Sequence, residues 1–96
     1  MAAALDRMLA KFLPEIDARI AMLEEAAAAN PLSAEQQATA HTAAHKLAGS
    51  LGMFGLQRGT ELARQAELAL AEDPATTQAE LAAWVAELRA LILSRS

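Results

Sequence analysis

The stretch Ser33-Ala34-Glu35-Gln36-Gln37-Ala38-Thr39-Ala40-His41-Thr42-Ala43-Ala44-His45-Lys46-Leu47-Ala48-Gly49-Ser50-Leu51 decides the fold. It opens with a capping box. The Ser33 hydroxyl can accept from the Gln36 backbone N–H while the Gln36 side chain reaches back to the Ser33 N–H, which satisfies two of the donors a helix start leaves unpaired. Alanine and leucine, which lose little rotamer freedom in a helix, dominate the remainder of the stretch. At about 100° per residue, Ala40, Ala44, Leu47 and Leu51 fall within roughly 60° of one another and form an apolar stripe. A single helix over this stretch, with one buried face, is the expectation.

The same logic extends to both sides. On the N-terminal side, Leu5 to Leu13 reads as a short amphipathic helix, and Pro14 reads as the first residue of a second one, because proline is at home in a first turn. That second helix, about Pro14 to Ala29, carries Ile16, Ile20 and Leu23 at helical spacing, has Glu15 and Asp17 near its positive end, and stops at Asn30-Pro31. On the C-terminal side, Gly49 to Gly59 holds all four glycines, so a junction is expected there, with Gly52 and Gly55 as turn residues and Gly59 as a close-packing position. The next helix spans about Leu56 to Ala71, with Leu56, Leu62, Ala63 and Ala66 toward the core. Asp73-Pro74 is a further start signal, Asp73 as N-cap and Pro74 in the first helical position. The last helix carries Leu81, Trp84, Val85, Leu88, Leu91 and Ile92 as one wide stripe. Residues 94–96 are expected to fray.

Short connections between long helices imply antiparallel neighbours. The fold expected is therefore all-α: an up-down antiparallel four-helix bundle with an additional short N-terminal helix, as one domain over residues 1–96. The five-segment layout beginning at Met1 favours a freestanding protein. Composition agrees. One Val, three Ile and five Thr leave little for strands. The net charge is −4 with no dense basic tract, so the footprint of a nucleic-acid binder is missing. There is no cysteine for a disulfide or thiolate site, which suits a reducing cytoplasm. No apolar run approaches the roughly 20 residues of a membrane span, and Asp6 and Arg7 interrupt any signal-peptide pattern.

The chemistry points to the helix quoted first. His41 and His45 are the only histidines. His45 lies roughly 130° from the centre of the apolar stripe and should be exposed, whereas His41 lies roughly 90° away, on the flank. Ala38, His41, Gly49 and Gly52 share the ridge of His45. Gly49 lies one turn after His45, where glycine costs about 1 kcal/mol against alanine without a packing return. A bare ridge makes sense if another surface must come close to His45. An exposed imidazole is largely neutral at physiological pH, and its free nitrogen is a competent nucleophile toward phosphorus. Lys46 beside it can steer an acidic partner or neutralise phosphoryl oxygens. His41 and His45 also have the i, i+4 spacing of a zinc pair, but no third and fourth ligand accompanies them, so no metal site is expected. Glu24, Glu25, Glu61, Glu67 and Glu72, like Arg58 and Arg64, read as solvated faces.

His45-Lys46-Leu47-Ala48-Gly49-Ser50-Leu51-Gly52-Met53-Phe54-Gly55-Leu56 resembles the signature of the histidine-containing phosphotransfer (HPt) family: a histidine, an apolar residue two later, glycine four later, and a glycine opening the next helix. Met53-Phe54-Gly55 is also similar to the phosphotransfer domains of chemotaxis kinases. Leu13-Pro14-Glu15 resembles the family's opening, and Glu61-Leu62-Ala63 with Glu67 falls where its fourth helix packs. The chain departs at Ala48, where the family often has lysine, and Lys46 stands in. The resemblance implies a phosphorelay intermediate of two-component signalling, carrying a phosphoryl group on His45 between a sensor histidine kinase and the aspartate of a response-regulator receiver domain, or between receiver aspartates. Lys46, Gly49, His41, Ser50 and Gly52 would support partner binding. It further implies a cytoplasmic phosphocarrier and not an enzyme, with no cofactor of its own, since Mg²⁺ belongs to the receiver, and with neither nucleic acid nor membrane as a partner. The alternative is a non-catalytic module that binds or sequesters a receiver domain.

Overall fold

The computed structural model describes the backbone at residues 2–29, 31–72 and 74–94, and side-chain surroundings at 7–29, 31–72 and 78–94. Among the described residues four helices succeed one another: α1 (Ala2–Ala28), α2 (Ala34–Met53), α3 (Gln57–Ala71) and α4 (Pro74–Leu93). No strand occurs among the described residues. The helices pack in a ring, each against its two chain neighbours and α1 against α4, as short connections require.

The additional N-terminal helix does not exist as a separate element: α1 runs through Pro14 without a break. An interior proline forfeits its own hydrogen bond and crowds the carbonyl four residues back, at a cost of about 3 kcal/mol. Packing offsets it. Leu9 is buried in register with Ile16, Ile20 and Leu23, and Phe12 and Leu13 are half-buried against the same core. Burying one such side chain is worth about 1.5–3 kcal/mol. Pro14 and Ala10 both lie on the exposed side, so water can reach the carbonyl that the proline leaves without a donor.

The core is built from the expected stripes: Ala40, Ala44, Leu47 and Leu51 of α2, Leu62, Ala63 and Ala66 of α3, and Leu81, Val85, Leu88 and Ile92 of α4. Leu56, Trp84 and Leu91 are half-buried at its edge. Eight of the twenty buried apolar residues among those described are alanine. Small side chains let helix axes approach closely, which accounts for a bundle only 19 Å across in both short directions and 44 Å long.

The helix ends obey their local chemistry. Ser33 caps α2 as expected, its Oγ accepting from Gln36 N at 3.0 Å and its N donating to Gln36 Oε1 at 3.1 Å. The α2 helix does not turn at Gly52 but continues to Met53. Gly55, with φ +72°, makes the turn. Its N–H bonds Gly52 O at 3.1 Å, and Leu56 N–H bonds Leu51 O at 2.9 Å, the paired bonds of a Schellman motif. Phe12 closes over this corner, its ring 5.8 Å from that of Phe54. Gly59 is the close-packing position: a Cβ there would sit 3.0 Å from Leu51 Cδ1. Two glutamines cap carbonyls at the far end. Gln37 Nε2 donates to Leu70 O at 2.6 Å, and Gln78 Nε2 donates to Ala26 O at 3.0 Å and to Ala29 O. The expected stop at Asn30, the N-cap at Asp73 and the last two of the fraying residues lie outside the described residues.

Candidate functional site

His45 projects from the middle of α2 with 71% of its side chain exposed. The alanines and leucines one position to either side of its ridge hold the helix against the core, so the imidazole cannot turn inward without exposing Leu47 or Ala44. Its ring is fixed from α3. His45 Nδ1 lies 2.8 Å from Glu67 Oε2. An ionised carboxylate only accepts, so Nδ1 carries the proton and donates it. In the neutral ring the lone pair is then on Nε2, the nitrogen on the far side.

Glu67 is the neighbour of His45 that sequence reading placed on a solvated face. It is not on a solvated face: only 24% of it is exposed, and two imidazoles approach it. On α3 it flanks the Leu62, Ala63, Ala66 and Leu70 stripe. A helical wheel shows that it borders the core, but not that this border faces α2. Arg58 and Glu61 are exposed, as expected, but paired: Arg58 donates to both Glu87 oxygens, from Nε at 2.7 Å and Nη2 at 3.1 Å, and to Glu61 at 3.4 Å. This pairing lowers the Glu87 carboxyl below its ordinary range and raises the Arg58 guanidinium. Glu24 accepts from Arg89, which also binds Asp17. The hydrogen bonds to Glu24 and then to Asp17 hold the Arg89 guanidinium well above its usual range against partial burial.

The other expected site residues divide into two groups. Gly49 and Gly52 are exposed on the ridge of His45. A Cβ at Gly49 would meet nothing within 4 Å, so no packing inside the chain demands a glycine there; one at Gly52 would touch Thr60 Oγ1 at 3.6 Å. His41 lies one turn before His45, 4.0 Å from Glu67 Oε2. Lys46 is exposed and lines a groove of about 390 Å³ between α1 and α2 with Arg19, Met22, Thr39 and Thr42. Ser50 belongs elsewhere. Its Oγ accepts from Arg19 Nη1 at 3.3 Å, tying α2 to α1 on the side away from the imidazole. Ala48 is buried in the core, so a lysine there would have to thread its stem out past α3. Exposed Met53 on α2 and Leu68 on α3 add apolar surface on the two helices that carry the site. No cluster of three or more His, Cys, Asp or Glu suited to a metal occurs among the described residues.

An antiparallel four-helix bundle with an exposed histidine on one helix, oriented by a carboxylate from the next, defines a helical histidine-bearing module. Residues 7–93 match the family described as the Hpt domain, and the chain belongs to that family. Hpt domains carry out phosphotransfer in the phosphorelays of two-component signalling, working with receiver domains and kinases. A stretch of 38 residues is 53% identical to Protein RcaC of Microchaete diplosiphon, covering 40% of this chain and 6% of that protein. The match thus spans a small fraction of that relative's length. No solved structure gives a significant match. No helix among the described residues is long and apolar enough to cross a membrane.

Proposed function

We propose that the chain is a phosphocarrier that accepts a phosphoryl group on His45 Nε2 and passes it to a receiver-domain aspartate. The carrying observation is the 2.8 Å contact from His45 Nδ1 to Glu67 on an otherwise exposed ring. In the step from an aspartyl phosphate, the Nε2 lone pair attacks phosphorus. The N–P bond forms as the acyl P–O bond breaks, and the donor leaves as a carboxylate. The positive charge that develops on the ring is shared with Nδ1–H, which Glu67 stabilises. The return step runs the same path backwards. Phosphoryl transfer needs mostly positioning and charge compensation. On this reading the partner brings the aspartate and Mg²⁺, and this chain brings the oriented nucleophile of a carrier.

The surface around the ring suits such docking. Gly49 and Gly52 keep the ridge low, and Lys46 supplies a positive charge beside it. The test is a transfer assay with a panel of phosphorylated receivers and their kinases, run on the wild type, His45→Gln and His41→Gln. Acid-labile label absent from His45→Gln and kept by His41→Gln is the expected result. Receiver binding with no label on the wild type would replace the carrier reading with that of a sequestering module.

A further inference from the structure

Two imidazoles approach one carboxylate oxygen. Glu67 Oε2 lies 2.8 Å from His45 Nδ1 and 4.0 Å from His41 Nε2. The first distance is a hydrogen bond. The second is too long for one and short enough for strong attraction between charges. The groove beside His41 is walled by Ala34, Gln37, Ala38 and Thr42 of α2 and by Leu70 and Ala71 of α3, none of which titrates, and neither α1 nor α4 contributes to it. Lys46, next to His45, and Arg64, one turn before Glu67, are the other charged residues on these faces, and neither forms an ion pair with Glu67. Among the described residues, Glu67 is therefore the carboxylate within reach of His41, and the two imidazoles are the basic groups that approach Glu67.

We infer, on the reading of His45 as the phosphoryl carrier, that His41 is a positioning residue whose charge state sets how firmly Glu67 holds the Nδ1–H of His45. A neutral His41 leaves Oε2 to His45. A protonated His41 places a full positive charge 4.0 Å from that oxygen, draws the carboxylate toward itself and weakens the bond to Nδ1–H. His45 then loses its tautomer bias, and Nε2 is less often the nitrogen with the lone pair. The ring also loses the negative charge that compensates it as the N–P bond forms. The coupling lets the charge carried at position 41 act on the carrier through a residue that never touches phosphorus.

The experiment separates charge from shape by substitution at position 41, at one fixed pH. His41→Lys fixes a positive charge beside Glu67, and His41→Gln keeps the site neutral. Each is made in the wild-type and Glu67→Gln backgrounds, with helicity and thermal midpoint as checks of folding. Imidazole ¹⁵N spectra read the tautomer of His45, and transfer to a receiver gives the rate. Relative to His41→Gln, which should keep the wild-type tautomer, His41→Lys is expected to lower the Nδ1–H fraction and slow transfer about fivefold, and this difference to vanish in the Glu67→Gln background. An unchanged tautomer in His41→Lys, or an equal change with Glu67 removed, overturns the inference. Should no protein, the wild type included, take up label, the carrier reading fails while the ¹⁵N spectra still decide the coupling.

Discussion

At the scale of the residue, Glu67 and Gly49 make opposite demands on their variants. Glu67→Gln keeps an acceptor oxygen for His45 but removes its charge. A hydrogen bond to a charged group is worth about 1 kcal/mol more than a neutral one, so phosphotransfer should slow roughly fivefold, and Glu67→Ala should slow it further; single-turnover transfer to a receiver measures both. Gly49 has open space where a Cβ would go and sits inside α2. Gly49→Ala should therefore stabilise the fold by about 0.5–1 kcal/mol, read as a raised urea midpoint, while slowing transfer because the ridge is higher. A destabilised Gly49→Ala would show that the glycine serves the chain's own packing. His45 and the low ridge were legible in the sequence because both depend only on angles within one helix. Glu67 was not: its partner is 22 residues away on another helix, and which flank of α3 faces α2 is fixed by packing.

At the scale of the element, punctuation marked the Ser33 start of α2, the Gly55 turn and the Pro74 start of α4, and misled at Pro14 and Gly52. The Ser33 box works through neighbours three residues apart, so sequence alone reveals it. Pro14 is a local signal overruled from a distance, because the core that rewards a continuous α1 is supplied by the other helices. Gly55 gives the contrast to Gly49. Both have open space around a hypothetical Cβ, yet Gly55 has φ +72°, where a side chain is strained. Gly55→Ala should cost about 1 kcal/mol, measured by equilibrium urea unfolding. The glutamine caps are a second inter-helix device. Gln37→Ala removes the donor that meets Leu70 O and should cost about 1 kcal/mol by the same measurement.

At the scale of the whole molecule, α4 is pinned by arginine pairs on both sides: Arg58 with Glu87 toward α3, and Arg89 with Asp17 and Glu24 toward α1. α4 takes no part in the histidine site and serves as its strut. The Arg58 hydrogen bond depresses the Glu87 carboxyl in the folded state. Stability from this pair is thus fully present above the unfolded glutamate value of about 4.3 and is lost as pH falls through the lower folded value. Glu87→Gln should be less stable than wild type at pH 7, and the gap should close as the solution is acidified below the ordinary carboxylate range. A gap that persists at pH 2 would assign the loss to shape and not to charge. The arrangement as a ring of four helices was legible from stripe and loop lengths; the ion pairs that pin α4 were not, since they depend on the same relative rotations that hid Glu67.

The α2–α3 corner has a kinetic consequence. From His45 to Glu67 the chain passes along two helices and one turn that two backbone bonds, Gly59 against Leu51 and the Phe12–Phe54 contact hold in a single shape. Nothing has to be gathered when a partner arrives, because the ordering was completed when the chain folded. Encounter and productive docking should then be one event: association traces fit a single exponential, their rate constants rise linearly with partner concentration, and no slower isomerisation phase appears at saturation.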